Sequence, residues 1–172
     1  MALALPHLGM ILRRLVLALR GCRPNLGAKQ LAVVMNTQPR WISHTHPLGG
    51  EEAKALSRLL ESLTVKSTVR VHFSSNNNAV DASAAPKAES LAKPFSRHAG
   101  CVLKAYVEAM DDPLCVMGLE VRREMREGLF ALCGMMGVRG RDALMVGLNA
   151  GGKAVVKAVW KDWEEVRYVG KG

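Results

Sequence analysis

Cysteine is scarce and scattered in this chain. Four thiols in 172 residues, at positions 22, 101, 115 and 133, never stand two or three residues apart. That excludes a disulfide scaffold and the CxxC spacing of zinc and redox motifs, and the four read as buried thiols of a reducing compartment. Aromatic residues make up 5%, too few for the stacking platform of an RRM or a cold-shock domain. Sixteen glycines and seven prolines exclude a collagen-like or low-complexity protein. No carboxylate precedes Glu51. No uncharged apolar run approaches the roughly 20 residues of a membrane span, because Arg13, Arg14 and Arg20 interrupt the apolar N-terminus. What remains is a chain with 49% hydrophobic and 23% charged residues, long enough to bury a sizeable core.

The net charge of +9 is uneven. Residues 1–50 carry six basic groups (Arg13, Arg14, Arg20, Arg23, Lys29, Arg40), whereas residues 51–172 set eighteen basic groups against fifteen acidic ones. A basic surface favours a polyanionic neighbour without specifying a fold. The acid-free, arginine-containing segment 1–23 has the composition of a mitochondrial presequence. It also has the spacing of a core helix, with Leu8, Leu12, Leu15 and Leu19 on one stripe widened by Ile11 and Val16.

The apolar spacing is helical almost throughout, and the expected class is all-α. A second helix is expected from Asn25, acting as its cap, to Pro39, and a third from Glu51–Glu52 with Ala53, Leu56, Leu60 and Leu63 on its apolar face. Residues 74–90 are polar, small and aperiodic, which makes 71–92 a disordered linker between an N-terminal helical part (1–70) and a C-terminal helical domain (93–172). The second half reads as four helices. One follows Pro94; one, about 118–136, aligns Val121, Met125, Leu129, Leu132 and Met136; a short one covers RDALMVGL; the last runs from about Gly152 to Tyr168. In that last helix Val156, Val159, Trp163 and Val166 form one face, with Trp160 beside it, and Lys153, Lys157 and Lys161 form another. Short connections within each half predict antiparallel helical hairpins, and no sheet is expected.

Chemistry-bearing motifs are few. Gly147 to Lys153 satisfies the GxxxxGK part of a phosphate-binding loop, but Ala154 stands where Mg²⁺ needs a hydroxyl, and no buried strand precedes it. A glycine-rich turn between helices is the better reading. His44 and His46, with Cys22 or His72, do not reach the clustering of a metal site. Asp111 and Asp112 stand side by side before Pro113, as in a turn and unlike the opposed placement that general acid–base pairs need. No GxSxG or activated nucleophile is present. The sequence therefore offers no catalytic, cofactor-binding or metal-ligating residues, and the expected protein is not an enzyme. The only candidates for partner or RNA contact are the basic positions Lys153, Lys157, Lys161, Arg167 and Lys171, partly neutralised by Glu164 and Glu165.

Three stretches, KPFSRHAGCVLKAYVEAM, VRREMREGLFALCGMMGVRGRDALM and GGKAVVKAVWKDWEEVRYVGKG, resemble the C-terminal domain of the fungal unhealthy ribosome biogenesis protein two family. LGAKQ, PRWIS and EEAKALSRLLESLT resemble the stretch before that domain, so the likeness spans nearly the whole chain. Its most specific part is the terminal pattern, matched at Gly151, Gly152, Lys153, Trp160, Trp163, Tyr168, Gly170 and Lys171. The resemblance implies the end of an α-solenoid-like array belonging to a longer family member, and a non-enzymatic nucleolar scaffold. Its expected work is pre-rRNA processing and early large-subunit maturation, alongside pre-ribosomal assembly factors that include an RNA helicase. No cofactor, membrane or small-molecule substrate is expected, and the near balance of eighteen basic against fifteen acidic groups in residues 51–172, with few aromatics, favours protein contacts and an indirect relation to pre-rRNA. The second reading is a small basic mitochondrial matrix protein with a cleavable arginine-rich presequence.

Overall fold

The computed structural model describes residues 4–43, 45–66 and 90–169. Six helices carry 74% of the described chain: α1 (Leu5–Ala18), α2 (Ala28–Thr37), α3 (Gly50–Ser62), α4 (Ala92–Asp111), α5 (Leu119–Val146) and α6 (Ala150–Val169). The protein is all-α. Two strands of two residues each, β1 (Gly21–Cys22) and β2 (Cys115–Val116), pair antiparallel with Cys22 opposite Cys115. This small pairing corrects the expectation of no sheet; two residues are too few to leave a period of two in a sequence. The linker expected over 71–92 lies almost wholly outside the described residues.

α4 occupies the centre. Phe95, Ala99, Val102, Leu103, Ala105, Tyr106, Val107 and Ala109 are all buried, so the apolar face is wide enough to meet several neighbours, while Lys93, Arg97, Cys101, Lys104 and Glu108 mark the remaining outer side. α1, α5 and α6 all pack on it. α3 packs on α5, and α6 also touches α5. One core therefore draws Leu12, Val16 and Leu60 from one side of the linker and Phe95, Leu103, Met125 and Leu132 from the other. Sequential neighbours pair in the second half, as the short connections predict. In the first half they do not: α1 turns to α4 and α3 to α5.

Local chemistry explains the element ends. α2 starts later than expected, after Gly27, whose N–H donates to Gln30 Oε1 at 3.2 Å, while Asn25 adopts a left-handed turn (φ 67°) of the kind asparagine tolerates. α3 starts in the same way: Gly49 N–H donates to Glu52 Oε2 at 2.8 Å, and those amide bonds hold the Glu52 carboxyl below its usual range. α4 begins before Pro94, since a proline in the first turn removes no helical hydrogen bond. α5 is broken at Gly137, where φ 65° and ψ −178° suit only glycine, which matches the expected helix end near 136.

α3 and α5 cross unusually closely. A Cβ on Gly128 would lie 2.8 Å from Ser57 Cα and 3.1 Å from Leu60 Cδ1. The absence of a side chain there lets the Gly128 N–H donate to Ser57 Oγ at 2.8 Å, which satisfies a buried hydroxyl.

Candidate functional site

The basic stripe expected on α6 is present. Lys157 and Lys161 are exposed and Lys153 is half-buried, one helical turn apart. Arg167 continues toward the end of the helix, its guanidinium 5.3 Å from the centre of the Trp163 ring; Lys171 lies outside the described residues. The stripe borders a shallow groove of about 390 Å³ between α6 and the second arm of α5, lined by Arg141, Met145, Lys157, Trp160 and Lys161 together with Asp142 and Glu164. Two of its three lining cations are matched from within. Lys161 pairs with Glu165 at 3.7 Å, Arg141 pairs with Asp142 at 3.0 Å, and Glu164 accepts the Trp160 indole N–H at 2.9 Å.

The tryptophans differ from the expected face. Trp160 is the buried one, in line with Gly152 and Val156, while Trp163 is half-buried and Val166 exposed. The helix turns its i, i+4, i+8 row toward α4 and α5, so the expected row, three residues later at its end, drifts to solvent. The two rings meet edge to face at 4.9 Å, and Arg141 covers Trp160 at 5.2 Å. Neither ring is presented as a stacking platform.

The GxxxxGK turn serves the protein's own carboxylate. Asn149 Oδ1 accepts the Gly152 N–H at 2.7 Å, capping α6, and Asn149 Nδ2 donates to Asp111 Oδ2 at 2.6 Å. A Cβ on Gly151 would overlap the Asp111 carboxylate. The position that a phosphate would take at a helix N-terminus is thus held by Asp111. Its neighbour Asp112 acts on the other side of the turn, where Oδ1 accepts the Leu114 N–H at 2.8 Å and Oδ2 lies 3.4 Å from Arg20 Nη1.

Arg20 is the residue that composition misrepresents. Counted with the presequence-like arginines, it is buried, donating to the Leu17 carbonyl at 3.0 Å and to Thr37 Oγ1 at 2.7 Å. Gln38 Nε2 donates back to the Arg20 carbonyl at 2.6 Å. This clamp ties the end of α1 to α2 and to the α4–α5 turn. α1 itself is core, with Leu12 and Val16 fully buried, although Ile11, expected on the same stripe, is exposed. Two thiols fit the expectation of burial, Cys115 and Cys133; Cys22 is half-buried and Cys101 exposed, a correction that follows from the position of Cys101 on an outer side of α4. Burial pushes the Cys133 thiol up to about 12, and burial with a hydrogen bond to Asp112 pushes Cys115 up to about 11. Among the described residues no group of three or more His, Cys, Asp and Glu side chains could hold a metal ion; His44 and His72 lie outside them. No helix described is long and apolar enough to cross a membrane.

A second surface lies between α1 and α3. Leu15 and Leu19 of α1, Trp41 and Leu48 of the α2–α3 connector, and Leu56 and Leu59 of α3 line an apolar groove of about 310 Å³, with Ala55 between them and Glu52 at one end. Sequence spacing marks Leu56 for the core but gives no sign that Trp41, in a loop, would stand beside it.

A family model for the Urb2/Npa2 family matches residues 1–171. The chain belongs to the Urb2/Npa2 family. Membership carries a role in ribosome biogenesis, in the nucleus and among pre-ribosomal assembly factors, within a family not known for catalysis. The match takes in residues 1–23, the segment with presequence composition, and the packing of α1 on α4 agrees with it. No curated protein and no solved structure matched the chain.

Proposed function

We propose that this Urb2/Npa2 chain is a non-enzymatic scaffold of the nucleolus that acts in pre-rRNA processing and early large-subunit maturation, holding assembly factors, an RNA helicase among them, mainly through protein contacts. The observation that carries this reading is the family match along residues 1–171. The preference for protein over RNA contact comes from the surface. Trp160 is buried and Trp163 half-buried, so the face lacks the free rings on which bases would stack, and Lys161 and Arg141 are engaged by Glu165 and Asp142. Lys153, Lys157, Lys161, Arg167 and Lys171 are proposed as a secondary contact strip.

The test is to follow a C-terminally tagged chain in cells and through a sucrose gradient. Nucleolar signal and co-sedimentation with large-subunit precursors are expected. Lys153, Lys157 and Lys161 changed together to Glu should retain most particle association. Loss of association in that variant, with the protein folded and free RNA competing, would assign direct RNA contact instead. Recovery only in mitochondria, with a shortened N-terminus, would sink the proposal.

A further inference from the structure

We propose that Cys22 and Cys115 form a peroxide-sensitive dithiol, which closes reversibly into a disulfide and fastens the chain after α1 to the α4–α5 turn. The inference goes beyond the scaffold reading and does not depend on it.

The register of the small β1–β2 pairing carries it. Cys22 stands directly opposite Cys115. One position further along, the Arg23 N–H donates to the Leu114 carbonyl at 3.1 Å, while the Cys115 carbonyl accepts from Arg23 Nε at 3.0 Å. Hydrogen-bonded and non-hydrogen-bonded pairs alternate along an antiparallel ladder, so the two cysteines form a non-hydrogen-bonded pair. There the strands come closest, with Cα atoms about 4.5 Å apart and both side chains on one face. A disulfide spans Cα separations of roughly 4.4–6.8 Å, so the thiols can join with little backbone movement. A bond at the short end of that range is strained, and strained disulfides are the readily reduced ones. The pair therefore rests as a dithiol in a reducing compartment and closes when oxidant rises. Among the described residues no third His, Cys, Asp or Glu joins the two thiols as a metal-binding set.

Access divides the roles. Cys22 is half-buried and Cys115 only 2% exposed, so peroxide reaches Cys22 first. The Cys22 sulfur attacks the O–O bond of hydrogen peroxide, giving a sulfenic acid and one water. Cys115 then displaces hydroxide from that sulfur: the S–O bond breaks, the S–S bond forms, and the Cys115 proton leaves with the hydroxide as a second water. Two thiols are oxidised and one peroxide is reduced. Burial, with a hydrogen bond to Asp112, holds Cys115 protonated up to about 11, which protects it from direct oxidation. Facing the Cys22 sulfur, it needs no diffusional encounter to react. The loop so closed takes in α2 and α3. Its junction lies where Arg20 already links the end of α1 to Thr37 and Asp112, so oxidation makes covalent what is otherwise held by hydrogen bonds and an ion pair.

The test uses the purified full chain carrying Cys101→Ser, which keeps the exposed thiol from linking two copies. The reduced protein is treated with hydrogen peroxide, and its thiols are titrated after denaturation. Two of the three remaining thiols should disappear, and a non-reducing digest should yield a peptide joining Cys22 to Cys115. The melting temperature should rise by at least about 5 °C, and millimolar glutathione should restore both thiols and the original melt. Cys22→Ser and Cys115→Ala should each abolish the link and the rise. Cys22→Ser, at a half-buried position, keeps the test standing if Cys115→Ala fails to fold. Thiol loss without the joined peptide, a link through Cys133, an equal yield of the link in 6 M guanidinium chloride, an unchanged melt, or a bond that glutathione leaves intact would overturn the proposal.

Discussion

At Gly128 a single hydrogen atom sets the distance between two helices. Ala at this position would force the new methyl against Ser57 Cα and disturb the bond that satisfies the Ser57 hydroxyl. Overpacking of this kind costs about 1–3 kcal/mol, so Gly128→Ala should lower the urea midpoint by a matching amount, with an unchanged m-value. Ser57→Ala in the same background should recover little, because the clash is with backbone. The buried thiols give a different signature. Cys133 holds its proton to about pH 12 in the folded chain, whereas in the unfolded chain it ionises near its ordinary value. Above about pH 9 the unfolded state therefore binds fewer protons than the folded state, and stability must fall as pH rises. Urea melts at pH 8 and pH 10.5 should show this fall, and Cys133→Ala should make it shallower. Acidic solution should leave this contribution untouched.

Among the elements, α5 shows how a break becomes architecture. The glycine-only backbone at Gly137 redirects the second arm, which carries Arg141 over the Trp160 ring. Gly137→Ala should cost about 1–3 kcal/mol as backbone strain and red-shift tryptophan emission as Trp160 loses its cover. The elements also differ in how readily they could be read from the sequence. α3 and the first arm of α5 were legible because each has one buried stripe against polar flanks, and Ala53, Leu56 and Leu60 or Val121, Met125 and Leu129 are buried as their spacing requires. α4 was legible as a helix but not as the centre, since a wide apolar face does not reveal in sequence that three different helices, α1, α5 and α6, share it. α6 showed its lysine stripe plainly. It did not show which tryptophan is buried, because Trp160 and Trp163 lie at adjoining positions on the wheel and packing against α4 and α5 decides between them. The β1–β2 pairing and the Arg20–Asp112 clamp join residues about 92 apart in sequence, beyond the reach of any local pattern. The α1–α3 groove was invisible for the same reason.

For the whole molecule, the interleaved core means that α1 is as structural as any later helix. A chain lacking residues 1–23 would lose Leu12, Val16, Leu19 and the Arg20 clamp, and would uncover the side of α4 on which α1 packs. Such a variant should bind ANS strongly and lose its cooperative melt, measured by circular dichroism against the full chain. Intact melting after this truncation would mean that α1 contributes little to the core. The same interleaving bears on synthesis. α3 leaves the ribosome with its leucines finished but its partner, α5, roughly 70 residues behind it in the sequence. At roughly 5–20 residues per second the wait lasts several seconds, during which two bare leucine-rich helices stand in solution. The nascent chain is thus a natural client for holding chaperones at the tunnel exit, and codon changes that slow translation between residues 63 and 119 should lengthen that dependence.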